Sequence, residues 1–473
     1  MLPTHSPGKV RAMSTSDDAT LEEHEDKATT PTFASTKTGS DVESSNAVEA
    51  SSWWSSRQVV RSRRRLRRWL TVSWPLLLVL AASVGVAGVT TLLHGPAMSP
   101  IDEWVYTDYL DRVPTDGIIR KGDYIEPPAL ERVACDGVVS YGKLGPPCGS
   151  NSTDVSQYPF MGQQTADLYT PAFFWVTWLA GFVIWKILPV ELLTAWRLTG
   201  TLWLGATLVA MWRLFRAWRL SSFAFSSVSM LLVGSTYTYW TYSYVSTDAP
   251  AALFGAVMLL KVTQWMRGAS SPWVLVGLSV LAVIFKAANV LAVGMVVAIM
   301  LFHGISQWLA RRPGSARTTV GPAAALSGDK AGPRRHLLWA SVIAGAAGVV
   351  QVGWIIINRA IALGKAPGQG VETESPPRRI LALTTRFLQE TISSNHAVVG
   401  GEGVITLIEL AFLLPQTWIL VAGVVGSVLL LRRRDRVEEP DRWAMVLGIG
   451  VSSVLAAPAL AILVIVSTGA YYD

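Results

Sequence analysis

The sequence predicts an all-α, polytopic membrane protein, on three observations. Of its 473 residues only 15% are charged, 51% are hydrophobic with 20 Trp among them, and the apolar residues gather into long uncharged runs. Soluble domains average about 25% charged residues, whereas these runs approach the roughly 20 residues that a helix needs to cross a bilayer. An ordinary soluble enzyme is excluded, consistent with the mean hydropathy of +0.36. The net charge of +7, from 40 Lys and Arg against 33 Asp and Glu, does not point to nucleic acid. Its basic residues sit in short blocks beside apolar runs, the pattern by which topology is set, so the expected partner is the lipid bilayer. Two cysteines, both in one polar segment, exclude a zinc cluster or a disulfide-dense scaffold.

Residues 1–56 are rich in Ser, Thr, Asp, Glu and Ala and have no helical or strand period. Such a segment cannot bury enough apolar surface to offset its conformational entropy, and 1–68 reads as a disordered cytoplasmic tail with a basic flank. Seven arginines between Arg57 and Arg68 precede the uncharged run 69–93, which is too long and too far from the N-terminus for a cleaved signal peptide. It is predicted as the first crossing, with its N-terminus cytoplasmic.

The polar stretch 94–170 carries eleven acidic and five basic residues, opposite in sign to the flank before it, and is expected to face outward. Cys135 and Cys148 fall inside it with twelve residues between them. An exported compartment permits a disulfide there, contributing about 3 kcal/mol in the chain-entropy model; two free thiols are the alternative.

Nine further apolar segments follow, starting near Leu168, Leu198, Leu220, Ala249, Gly268, Ala287, Leu337, Gly403 and Trp443. If all nine crossed, Arg213, Arg216, Arg219, the basic linker 310–336 and residues 432–434 would lie outside, against the positive-inside rule. One segment before Arg213 must therefore not cross. Residues 168–188, with Tyr169, Phe173, Phe174, Trp175, Trp178, Phe182 and Trp185, carry the aromatic load of a helix lying at the outer interface. With that segment flat, about nine crossings result and every basic block falls inside. The outward loops are then 94–194, a turn over 237–248, a tight turn at Lys286, and 359–402. The membrane core spans 69–310, a cytoplasmic linker 311–336, and C-terminal helices 337–473. In loop 359–402 Ile380, Leu381, Leu383, Phe387 and Leu388 recur at helical spacing, reading as an amphipathic surface helix.

Ionisable groups at membrane segments are functional candidates because their burial is costly. Asp102 and Glu103 lie eight residues beyond the first crossing, with Asp108 and Asp111 close behind. A carboxylate held where a helix emerges suits a general base, since partial burial raises its pKa; a solvated acidic loop is the plainer reading. Asp248 ends the uncharged run 220–247 and begins the next apolar helix. Capping by Ser246 or Thr247 would explain it, but Tyr237, Tyr239, Trp240, Tyr242 and Tyr244 before it suit sugars or lipid headgroups, or form an aromatic belt. Lys286 stands alone between two apolar segments and either holds a phosphate or snorkels. Arg378, Arg379 and Arg386 add phosphate-binding charge, and His396 and Glu402 are further acid-base candidates. No Walker loop, HExxH, GxSxG or CxxC pair occurs, so ATP-driven transport, zinc proteolysis and serine hydrolysis lack motif support.

The order of these features is similar to the membrane-embedded glycosyltransferases of the GT-C fold, which include protein mannosyltransferases, aminoarabinose transferases and actinobacterial cell-wall arabinosyltransferases. The residues that carry the likeness are Asp102-Glu103 after the first helix, DLYTPAFFWVTWLAG, AWRLTGTLWLGATLVAMWRLFRAWRL, the aromatic approach to Asp248, and the Lys286 turn. It covers about residues 70–310 and thins beyond. The resemblance implies that Asp102 or Glu103 is the base, that Asp248 is a supporting carboxylate, and that a sugar moves from a polyprenyl-phosphate donor to a hydroxyl of a cell-envelope glycan, lipid or protein outside the plasma membrane. Lys286, Arg378, Arg379, Tyr242 and Tyr244 are the expected substrate contacts. No cofactor is required; Mg²⁺ or Mn²⁺ between Glu103 and Asp248 is conceivable, because carboxylates and phosphate oxygens suit such cations. Two rivals are a transporter or flippase for a lipid-linked precursor, with Glu409 and Lys261 as its intramembrane ionisable residues, and a non-catalytic scaffold.

Overall fold

The computed structural model describes residues 73–100, 102–150, 154–310, 333–364, 378–384 and 440–472. Among them every regular element is helical, and extended backbone occurs only as isolated bridges. Five helices are long and apolar enough to cross a membrane: α1 (Ser73–Leu93), α5 (Leu192–Ala217), α10 (Val290–Ala310), α11 (Pro333–Ala360) and α12 (Pro440–Tyr472). Shorter apolar helices are α4 (Ala172–Ile187), α6 (Ser222–Val233), α8 (Ala251–Met266) and α9 (Pro272–Phe285). The polar segment after α1 folds into α2 (Glu103–Arg112) and α3 (Pro127–Cys135), and α7 (Thr236–Tyr242) follows α6.

Local chemistry sets the boundaries. Ser221 and Ser235 cap α6 and α7 by accepting from the amides of Ala224 and Thr238, as hydroxyl N-caps do. α9 opens on Pro272, whose missing N–H costs nothing in a first turn. Gly200 of α5 lies against the backbone of Tyr242, where a Cβ would come within 2.3 Å of the carbonyl oxygen; only glycine permits this approach of α5 to α7.

Side-chain and backbone contacts sort the helix ends into two groups. At one end Arg197 near the start of α5, Val245 after α7 and the residues following α1 meet at Glu103. Thr170 before α4 reaches Ile284 of α9, and Trp354 and Leu363 of α11 and its exit reach Leu168 and Lys121. At the other end Arg267 bonds the last carbonyl of α5, Trp218 bonds Thr263, and Trp265 and His303 pack on His336. Within α4, Gly181 lies against Trp196, beside Arg197, so this helix keeps to the first end. It leaves Trp175, Leu179, Phe182, Val183, Trp185 and Ile187 exposed.

The loop between α1 and α4 is not a solvated acidic strand. Glu103, Asp108 and Asp167 are at most 1% exposed, and almost every residue of α2 is buried. Arg112 organises the outer part: it donates to Asp116 and to the Tyr124 carbonyl, with Asp108, Asp123 and Glu126 within 4 Å. Asp108 accepts from the Glu126 amide and Gln164, and burial pushes its carboxyl up to about 6. A disulfide joins Cys135 to Cys148 with Cα atoms 4.7 Å apart.

Candidate active site

Asp102 is the residue before α2 and adopts a left-handed conformation (φ 54°, ψ 14°). Aspartate at this position normally accepts a hydrogen bond from the helix N-terminus. Here the side chain makes no capping bond, and among the described residues no basic group lies within ion-pair distance of it. Burial raises its carboxyl above the ordinary range, Asp248 adds to the shift, and Lys286 opposes it. Those causes place Asp102, Asp248 and Lys286 in one electrostatic group, drawn from the entry to α2, the entry to α8 and the α9–α10 turn.

Within that group Lys286 Nζ donates to Asp248 Oδ1 at 2.6 Å, with side-chain exposures of 14% and 40%. Burial alone would lower the Lys286 ammonium, but Asp248, Tyr169 and Asp102 together raise it above its ordinary value, so it is a cation at any working pH. Its Nζ lies 5.5 Å from the centre of the Tyr169 ring. Tyr106 donates to the Tyr169 hydroxyl at 3.2 Å and accepts from Thr247 at 3.4 Å. Burial, Tyr169 and Asp102 hold the Tyr106 phenol far above its usual value, as a neutral donor. Asp248 itself is no cap: α8 starts at Ala251 after Pro250, and Ser246 accepts from the Asp248 amide instead.

Glu103 occupies a different environment. Arg197 Nε and Nη2 donate to its two oxygens at 2.8 and 3.0 Å, Ser99 N to Oε2 at 2.8 Å, and Val245 N to Oε1 at 2.9 Å. Arg197 also donates to the carbonyls of Gly95 and Ala97. Both side chains are buried, at 0% and 2%. A carboxylate that accepts four N–H bonds has most of its acceptor capacity used and little left to ligate a cation. Glu103 therefore ties α1, α2, α5 and the loop before α8 together. Glu103 and Asp248, the two carboxylates between which a cation is conceivable, are bonded to Arg197 and Lys286 respectively, and among the described residues no three His, Cys, Asp or Glu side chains cluster as metal ligands would.

Among the described residues, no ion pair or hydrogen bond joins the other expected contacts directly to Asp102, Asp248 or Lys286. Tyr242 and Tyr244 are buried at 0% and 3%; Tyr244 stacks on His94 and Trp240 and carries the Arg197 guanidinium 5.0 Å above its ring. Arg378 and Arg379 begin a helical stretch over 378–384, and Arg378 is exposed; no ion pair joins either to the group. Arg386, His396, Glu402 and Glu409 lie outside the described residues.

Arg197 and Tyr106 are not among the candidate residues of the sequence, and Tyr169 and Thr247 stand out there only as an interfacial aromatic and a helix cap. Arg197 had a readable signal, a single cation within the first turns of an apolar run. The other three are ordinary polar residues until the fold brings them beside Asp102. No family model, curated protein or solved structure matches this chain.

Proposed function

We propose that this chain is a membrane-embedded glycosyltransferase that moves a sugar from a polyprenyl-phosphate donor to a hydroxyl of a cell-envelope glycan, lipid or protein, on the extracytoplasmic side of the plasma membrane. One observation carries the reading: at the emergence of the first apolar helix, Asp102 makes no capping bond and, among the described residues, no ion pair, its carboxyl is raised by burial, and the ammonium of Lys286, which is paired with Asp248, acts on it electrostatically.

The sorting of the described helix ends fits crossings by α1, α5, α6 with α7, α8, α9, α10, α11 and α12, with α4 along the outer interface, and the apolar run 403–431, taken from its sequence alone, would bring the number to nine. Arg213, Arg216, Arg219, Arg267, Arg334 and Arg335 then gather at the end opposite Asp102, which fits a cytoplasmic face there. Outside the cell a lipid-linked donor is the appropriate one, because its phosphate stays at the membrane surface.

In the reaction Asp102 takes the proton of the acceptor hydroxyl as that oxygen attacks the anomeric carbon. The new glycosidic bond forms while the bond from the anomeric carbon to the donor phosphate oxygen breaks, and polyprenyl phosphate departs. Lys286 stabilises the charge that develops on the phosphate, Asp248 holds the ammonium in position, and Tyr106, by donating to Tyr169, leaves the Tyr169 hydroxyl proton free to be donated to a substrate oxygen. A carboxylate with a raised pKa suits base work near neutrality.

The test is transfer of radiolabelled sugar from a panel of polyprenyl-phosphate donors to cell-envelope acceptors by the purified protein in proteoliposomes. Transfer that stops when Lys286 is changed to Met in a normally folded protein supports the reading. Absence of transfer, together with movement of the intact donor across the bilayer, would replace it with a flippase.

A further inference from the structure

We infer that the Cys135–Cys148 disulfide is a positioning element for the base: it closes a hairpin that braces the segment leading into Asp102. The inference rests on the role proposed above for Asp102.

α3 ends at Cys135, and the chain reverses through Gly137 and Gly142, both at φ +77°, before Cys148 returns it. Within this hairpin Val138 N donates to Gly142 O and Gly142 N to Val138 O. Its outer edge then captures Met98: Met98 N donates to Gly137 O at 3.0 Å, and Val139 N donates to Met98 O at 2.9 Å. Met98 is fully buried.

The position of Met98 gives the brace its consequence. The Ala97 carbonyl before it accepts from Arg197, and the Ser99 amide after it donates to Glu103. Segment 95–99 is thus held from one side by the Glu103–Arg197 pair and from the other by the hairpin, and three residues later the backbone takes the left-handed turn at Asp102. Residues 143–148 are tied back to the end of α3 by the disulfide, by a long Leu144 N to Val133 O bond of 3.4 Å and by the packing of Leu144 on the core, and the disulfide is the one covalent tie among these. Opening the disulfide leaves the return arm on non-covalent contacts alone and loosens the Val138–Gly142 closure that shapes the edge, Gly137 to Val139, on which Met98 is held. Cys148 is exposed, so a soluble reductant reaches it.

Because these are the only two cysteines in the chain, any effect of a reductant on the protein is an effect on this bond. A dithiol such as dithiothreitol supplies two electrons and two protons: the Cys135–Cys148 bond breaks, two thiols form, and the reagent ends as its cyclic disulfide. Purified wild type in proteoliposomes is assayed oxidised and reduced, with thiol alkylation and mass measurement establishing how far the bond has opened. The expected result is a fall in kcat of about tenfold or more, in line with the cost of misplacing a reacting group, with the donor KM little changed. The acid limb of the pH profile should also move to lower pH. Asp102 is faced by Asp248, Lys286, Tyr106 and Tyr169, and a loosened, better hydrated carboxyl loses part of the burial that raises it. Simple loss of folded protein would lower the amplitude without moving the limb.

A second variant, Gly137→Ala, keeps both cysteines but sets a Cβ 2.7 Å from Gly142 O at a positive φ, and is expected to reproduce the shifted limb in oxidised protein. Hydrogen exchange over residues 95–103, read against α10 as an internal control, should rise on reduction. Fully reduced protein with unchanged kcat and unchanged exchange over 95–103 would overturn the inference. If oxidised protein transfers no sugar from any donor, the glycosyltransferase reading fails, and the exchange measurement alone decides whether the brace exists.

Discussion

Two ion pairs lie close together at the same end of the helices and are built for opposite purposes. Glu103 and Arg197 are buried, and the carboxylate accepts four N–H bonds while the guanidinium also serves two carbonyls. Asp248 and Lys286 share one 2.6 Å contact and keep 40% and 14% of their side chains exposed, and both act electrostatically on Asp102, which has no ion pair among the described residues. A saturated pair fixes geometry and has no capacity for a ligand; an unsaturated one holds charge ready for a substrate. Adjacent carboxylates in the sequence, Asp102 and Glu103, fall one into each class.

The largest expected effect that would break this contrast comes from Asp102→Asn. It should lower kcat by about 10²- to 10⁴-fold with the thermal unfolding temperature of the purified protein within a degree or two of wild type. Next, Arg197→Ala leaves Glu103 as an unpaired buried charge, a change that costs about 3–5 kcal/mol. Its expected sign is loss of folded protein in a detergent unfolding assay, and Glu103→Gln in the same chain should recover part of that loss. Wild-type stability in Arg197→Ala would erase the distinction between the two pairs.

Smaller effects sharpen it. Gly200→Ala forces a Cβ against the Tyr242 carbonyl and is expected to cost about 1–3 kcal/mol, as overpacking does, measured by the same unfolding assay. The pH prediction follows from the raised Asp102 carboxyl. A base must be ionised, so kcat/KM should fall as pH drops through a value above the ordinary aspartate range. Asp248→Asn removes a negative neighbour that contributes to the rise, so the acid limb should move to lower pH. A limb that moves up, or not at all, would separate Asp248 from Asp102.

Much of this arrangement was legible in the sequence. Long uncharged runs announced an all-helical membrane protein, and the positions of Arg213, Arg216, Arg219 and Arg267 relative to those runs matched one end of the folded helices. Asp102, Asp248 and Lys286 stood out because a charge bordering an apolar run is costly without a purpose, and the fold groups all three. Hydropathy did not resolve the difference between Asp102 and Glu103, since it depends on Arg197, 94 residues from Glu103, and on the amides of Ser99 and Val245. Tyr242 and Tyr244 looked like a substrate surface because aromatic composition carries no direction; packing against His94, Trp240 and α5 turned them inward. Tyr106 gives no signal and Tyr169 only that of an interfacial aromatic, because their pairing exists only once α2 and the entry to α4 meet.

The most direct test of the central claim compares sugar transfer by wild type, Asp102→Asn and Glu103→Gln, each normalised to folded protein in proteoliposomes. The account predicts that folded Asp102→Asn is nearly inactive, whereas Glu103→Gln loses folded protein but retains much of its turnover per folded molecule. Wild-type transfer by Asp102→Asn, or full folding with abolished turnover in Glu103→Gln, would contradict it.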